Sequence, residues 1–185
     1  MPFKERVYSV LVVSAAEKFN AALQPLLPPA RFEPVRLVSD ISAAKRAFVE
    51  RSFDFVLINA PLPDDVGVRF AIDVSANSET VALLLIREAL FDELTERVAP
   101  YGVFTLQKPT SGSMLTAALR WMESTRERIR KTERQTLSLQ EKMEEIRIVN
   151  RAKLVLVEKR GMSEQDAHRF LEKEAMNRGL AKRKV

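Results

Sequence analysis

From Ser113 to Arg160 the chain contains neither proline nor glycine, although it has nine prolines and five glycines elsewhere. A helix across those roughly forty-eight residues would reach about 70 Å at 1.5 Å per residue. No domain of this size can bury such a rod, so the stretch must connect something before it to something after it. Apolar and small residues recur along it at alternating steps of three and four: Met122, Thr125, Ile129, Thr132, Thr136, Leu139, Met143 and Ile146. That spacing keeps one narrow seam on one side of a helix, the pattern of a coiled coil. The expected seam residues are Met122, Ile129, Leu139, Met143 and Ile146, with the threonines weakening its middle. A parallel homodimer is the simplest partner, and a single helix folded back on its own domain is the alternative.

Charge divides the chain at the same place. Residues 1–119 carry 12 Lys/Arg against 14 Asp/Glu, and residues 120–185 carry 18 against 11. A basic second half suits a nucleic-acid partner, although a solvated helix surface has the same composition. The chain has no cysteine, which excludes disulfides and thiolate chemistry and fits a cytoplasmic setting. No apolar run is long enough for a membrane span, and no signal peptide is evident near Met1–Val13. The single histidine, His168, cannot build a histidine metal site, and the sequence indicates no nucleophile or carboxylate partner that would make it catalytic. No metal, no cofactor and no enzymatic activity are expected.

Ahead of the rod, short apolar runs alternate with helical segments. Strands are expected at Tyr8–Val13, Phe32–Val38, Phe53–Ile58, Thr80–Ile86 and Gly102–Leu106. Pro34 confines the second to a sheet edge, and the fourth, being the most apolar, is expected at the centre. Ser42 is a candidate N-cap for the helix that follows the second strand. Five strands alternating with helices predict an α/β fold, a doubly wound, flavodoxin-like parallel sheet. In such sheets the site lies outside the carboxyl ends of the strands.

The residues there carry a resemblance. Val10-Leu11-Val12-Val13, then Asp54-Phe55-Val56-Leu57-Ile58-Asn59-Ala60-Pro61, then Lys108-Pro109 resemble the receiver domain of bacterial response regulators over about residues 6–124. The resemblance implies a Mg²⁺-binding acidic pair, a phosphoacceptor aspartate, a Thr/Ser switch and a lysine. Here the acidic pair falls on Ser14 and Ala15, the acceptor on Asn59, and the hydroxyl position on Leu85 or Ile86. Only Lys108 remains. The site reads as a degenerate phosphorylation site, and the domain as a pseudoreceiver that dimerises or docks a regulatory sensor protein. Asp64 and Asp65 lie in a Pro-Asp-Asp turn, where aspartate serves conformation.

Behind the rod, Gly161 can end the helix, and Ser163-x-x-Asp166 can start another. Ile146-x5-Ala-Lys-x2-Leu followed by Ser163-Glu-x2-Ala-x3-Leu-x3-Ala-Met176 resembles the ANTAR domain, the RNA-binding module of bacterial transcription antitermination regulators. The expected organisation is therefore a pseudoreceiver at 1–124, a coiled-coil linker at 125–145 and a small all-α ANTAR domain at 146–185. The resemblance implies binding to paired hairpins of a leader transcript. Arg151, Lys153, Arg160, Ser163, Ala167, Arg169 and Lys173 are the candidate RNA contacts, with Ala167 the one most suited to packing. The family's module has three helices, and the residues after Arg178 supply only the start of a third, which is expected to be incomplete. The rival reading is an interaction and dimerisation module that does not bind RNA.

Overall fold

The computed structural model describes residues 6–76 and 79–180, and the chain forms two compact units, divided between Arg130 and Lys131. In the first, strands β1 (Tyr8–Val13), β2 (Phe32–Val38), β3 (Phe55–Asn59), β4 (Val81–Arg87) and β5 (Phe104–Lys108) alternate with helices α1 (Glu17–Leu23), α2 (Ile41–Glu50), α3 (Val68–Ala76) and α4 (Phe91–Val98). All strand pairs are parallel, in the order β2-β1-β3-β4-β5. The expected doubly wound sheet is present.

The strand side chains alternate between two cores. Leu11, Val13, Val56, Ile58, Leu84 and Ile86 join residues of α2, α3 and α4 on one face. Val10, Val12, Phe55, Leu57, Leu83 and Leu85 join Leu23 and the start of a long helix on the other. Burial on both faces explains why β1, β3 and β4 read as continuous apolar runs. It also corrects one expectation: β3, not the more apolar β4, occupies the centre, since both are enclosed and hydrophobicity cannot rank them. Pro34 lies in β2 at the edge, as expected.

The N-cap of α2 is Asp40, whose carboxylate accepts from the Ala43 amide at 2.7 Å; Ser42 lies one residue inside the helix. Asp64 accepts from the Ile41 and Ser42 amides, each at 3.0 Å, and so closes the same helix start. Asp65 accepts from the Gly67 amide at 2.6 Å. Both aspartates are thus occupied in fixing backbone. Gly67 has φ +84° and lies where a Cβ would come within 2.7 Å of Ile58 Cγ2, so both its conformation and its space demand glycine.

Helix α5 runs unbroken from Gly112 to Arg160, as the missing helix breakers predict. Its first turns belong to the first unit, with Leu115, Ala118, Leu119 and Met122 buried against the sheet. Met122 is fully buried there and cannot face a partner helix, and Ile129 packs partly on the same core. Both leave the expected seam for that reason. Leu139, Met143 and Ile146 are 60%, 69% and 60% exposed, so they stand largely uncovered among the described residues.

One carboxylate helps to hold the turns of α5 beyond residue 124 to the first unit, beside the partial packing of Ile129. Asp54, just before β3, accepts from Arg126 Nε at 2.9 Å and Arg130 Nη2 at 2.6 Å, while its other oxygen accepts from the Ser9 amide at 3.0 Å. Arg130 also lies 5.4 Å over the Tyr8 ring, and Tyr8 Oη donates to Glu127 at 3.1 Å. Burial pushes the Asp54 carboxyl up, but the Ser9 amide and the two guanidinium groups outweigh it and hold it below the usual carboxylate range.

Replacing Asp54 with Ala should therefore cost about 2–3 kcal/mol in urea unfolding, because Arg126 and Arg130 lose the carboxylate they share. The wild-type contribution is complete above the carboxyl's unfolded pKa of about 4 and is lost as pH falls through the lower folded value. The stability gap between wild type and Asp54→Ala should accordingly narrow below about pH 4. A gap independent of pH would show that Asp54 acts through packing alone.

Candidate functional site

Two places gather the candidate residues. At the carboxyl ends of β1, β3 and β5, Asn59 Nδ2 donates to Ser14 Oγ at 3.1 Å, and Lys108 Nζ donates to Asn59 Oδ1 at 2.7 Å and to the Ala60 carbonyl. Ser14 Oγ also accepts from the Ala16 amide at 3.2 Å. Ser14 and Asn59 are buried and Lys108 is half-buried, whereas Ala15 is exposed. Burial, then the nearby Arg87 charge, pushes the Lys108 ammonium below its ordinary pKa. Three of the four expected residues thus form one chain of hydrogen bonds. A carboxylate at 59 would meet Lys108 as an ion pair; the amide bridges serine and lysine with both its ends used. Among the described residues no group of three or more His, Cys, Asp or Glu could hold a metal.

The second place is the unit that begins at Lys131. There α5 turns at Gly161, whose φ of +63° is the left-handed value a helix stop requires. Helix α6 (Glu164–Arg178) follows, with Ser163 as N-cap: its Oγ accepts from the Asp166 amide at 3.1 Å. Gly179, in the left-handed region, ends it. Ala167, Leu171 and Ala175 are buried at helical spacing, so a narrow small-residue stripe joins the two helices. The expectation for a third helix rests largely on residues 181–185, outside the described residues.

The seven candidate RNA contacts separate on this frame. Arg151, Arg160, Arg169 and Lys173 are exposed. Arg169 and Lys173 stand one turn apart, each about 160° from Leu171 at the middle of the buried stripe, on the outer face of α6. Arg160 lies 5.6 Å over the Phe170 ring. With Arg151 and Arg178 it borders a shallow groove whose floor includes Ile148, Val155 and Phe170. Lys153 is only 17% exposed and pairs with Glu164 at 3.1 Å, so its charge is committed within the unit. The Ser163 hydroxyl is engaged in the cap, donating to Asp166 Oδ2 at 2.6 Å. Ala167 has no exposed surface, so it is a packing residue and is corrected as a direct contact. Exposed His168 approaches Glu172 at 3.3 Å on one helix face.

The sequence reading missed the Asp54–Arg126–Arg130 cluster. Its only sequence signal is two arginines four residues apart on a helix already known to pack on the sheet. The groove beneath Arg151 and Arg160 was also missed, since nothing in α5 alone shows that Phe170 comes under Arg160.

Comparison with known proteins follows this division. Residues 137–185 match the ANTAR domain family. The transcriptional regulatory protein PdtaR of Mycobacterium tuberculosis, in strains CDC 1551 and H37Rv, is 30% identical over 134 residues, which cover 71% of this chain. The chain spans 64% of the length of those relatives. Among solved structures, the signal receiver domain of an HD domain-containing protein from Pseudomonas fluorescens Pf-5 superposes with a TM-score of 0.57 at 23% identity, covering 72% of this chain and 96% of that one. A two-component transcriptional regulator AraC from Clostridium phytofermentans ISDg gives 0.60 at 12% identity, covering 66% and 98%. At those identities the likeness concerns the fold.

Replacing Ser163 with Ala should lower the stability of the helix pair by about 1 kcal/mol through loss of the cap. Circular dichroism melts would check it, and an unchanged melt would show that the α6 start is held by Glu164–Lys153 instead. The chain is thus a receiver-like fold followed, along one continuous helix, by an ANTAR domain at residues 137–185.

Proposed function

We propose that this chain is a non-enzymatic transcription antitermination regulator, which binds hairpins of a leader transcript through its ANTAR domain and is controlled through a receiver that takes no phosphoryl group. The ANTAR match at 137–185 carries the reading. Exposed Arg151, Arg160, Arg169 and Lys173 support it physically: cations on both helices can reach phosphates, and the guanidinium groups of Arg151 and Arg160 can also stack on unpaired loop bases. Lys153 and Ser163 act as positioning residues, holding α6 against α5. The pairing of helices from two chains through Leu139, Met143 and Ile146 belongs to the same reading, because two hairpins call for two ANTAR domains.

The receiver part rests on chemistry. Asn59 has no carboxylate to accept a phosphoryl group, and Ser14 and Ala15 offer none of the carboxylate oxygens that Mg²⁺ prefers. Control then comes from docking of a sensor protein on the receiver.

Fluorescence anisotropy with a two-hairpin leader RNA, repeated over a salt series, tests the RNA half. Wild-type protein should bind it more tightly than a scrambled RNA. The Arg169→Ala/Lys173→Ala variant should weaken binding and reduce the log–log salt slope by about 1–2. Equal affinity for both RNAs would favour a dimerisation and interaction module instead. For the receiver half, acetyl phosphate with Mg²⁺ should add no phosphate to the intact mass of the protein. A stoichiometric adduct would sink that part.

A further inference from the structure

The apolar core beneath α5 stops at the same step in β1, β3, β4 and β5. Val12, Leu57, Leu85 and Leu106 belong to it, and two residues further along the chain from each stand Ser14, Asn59, Arg87 and Lys108. Side chains alternate along a strand, so these four emerge on one face, just outside the core. Arg87 and Lys108 are direct partners in the β4–β5 register. Where the receiver resemblance implies acids, this row has two cations, a hydroxyl and an amide.

Each group in the row has a partner, yet donors are left over. The Lys108 ammonium can only donate, so the oxygen of Asn59 must face it and the amide nitrogen must face Ser14. Ser14 Oγ accepts from that nitrogen and from the Ala16 amide, which fills its acceptor capacity. Among the described residues its own proton, on a buried side chain, meets no acceptor. Lys108 uses two of its three protons, on Asn59 Oδ1 and the Ala60 carbonyl. Exposed Arg87 has no carboxylate partner among the described residues, and exposed Glu88, which follows it, pairs with neither cation. The charge that acts on the Lys108 ammonium is that of Arg87, of the same sign. Two like charges and three sets of unused donors, with no counter-charge, form an arrangement that an anion relieves.

We propose that the carboxyl ends of β1, β4 and β5 form a site for a small dianionic oxyanion, held by the Ser14 hydroxyl, the Lys108 ammonium and the Arg87 guanidinium without covalent transfer. A charge of two decides the class: a dianion balances both cations, whereas a single carboxylate leaves one unbalanced. The planar fork of Arg87 suits two oxygens at once. Serine at 14 and asparagine at 59 are part of the fit, since a carboxylate at either place would stand against the anion. Asn59 acts as a positioning residue, turning the Lys108 ammonium and leaving the serine proton outward. The inference goes beyond the proposed function and is independent of RNA binding: it gives the receiver-like unit a ligand of its own beside a docked protein.

Titration of the full chain, followed by amide nitrogen–proton NMR at constant ionic strength, tests this. Inorganic phosphate at about pH 8, sulfate and succinate supply dianions of different shape, and acetate supplies a single charge. Phosphate or sulfate should give saturable shifts at the amides of Ala16, Ala60 and Arg87, with Kd on the order of 1 mM. Saturation by phosphate and sulfate alone assigns a tetrahedral oxyanion, and saturation by succinate as well assigns any compact dianion. Arg87→Gln should weaken binding about tenfold, and Arg87→Lys less, because the charge stays and only the fork is lost. Ser14→Ala should weaken it about threefold. Arg87 is exposed, so its variants test the site even if loss of Ser14 disturbs the fold.

Absence of saturable shifts with all three dianions overturns the inference. So does an Arg87→Gln chain that binds as tightly as wild type, or acetate that binds as tightly as sulfate. The intact mass after phosphate titration should be unchanged, since the anion is held and not transferred. A covalent adduct from acetyl phosphate sinks the receiver half of the proposed function, and failure to bind RNA sinks the other half. Neither result requires the dianion titration to fail.

Discussion

The Asp54 carboxylate is the charged anchor at the end of the receiver-like unit. Full apolar burial of α5 on the sheet ends at Met122, and Ile129 packs only partly beyond it. By accepting from Arg126 and Arg130 and from the Ser9 amide, Asp54 ties two further turns of α5 to the underside of β1 and β3. Charge supplements apolar area there, since Ile129 is the one apolar residue between Met122 and Arg130. The same interaction removes Ile129 from any pairing surface, and so sets how little of the helix is left for another chain.

The strand-end network obeys a related economy. In a receiver-like fold the carboxyl ends of β1, β3 and β5 bring polar groups together whatever their chemistry. Buried polar groups without partners are costly, and Ser14, Asn59 and Lys108 satisfy one another, with Ala16 and Ala60 backbone completing the set. The site is a stable polar core. Its residues are arranged to pair with each other.

Much of this was legible in the residues. Strand identity, the edge placement of β2, the unbroken α5 and the Gly161–Ser163 corner each follow from a local rule: an apolar run, a proline in a strand, a missing helix breaker, a left-handed glycine before a capping serine. What escaped were facts about neighbours distant in sequence. The order of β3 and β4 depends on crossovers, not on hydrophobicity. Asp40 capped α2 in preference to Ser42 because the last extended residue before the helix lies two positions before Ser42. Met122 obeys the seam spacing and the core spacing equally well, and only the sheet beneath it decides between them. Ala167 likewise satisfies a motif whose reason turns out to be close packing.

Under the proposed control by docking, the closed network of Ser14, Asn59 and Lys108 sets how a signal is counted. A kinase can modify many receivers in turn, so a phosphorylated pool outgrows the enzyme that made it. A receiver read only by docking has no such gain. Each active chain needs one bound partner, and a partner shifts a two-state equilibrium only by its difference in affinity for the two states. Output would then follow the ratio of two protein concentrations, graded near equality and saturated beyond it. Regulation of that kind is stoichiometric, and it is reset by dissociation.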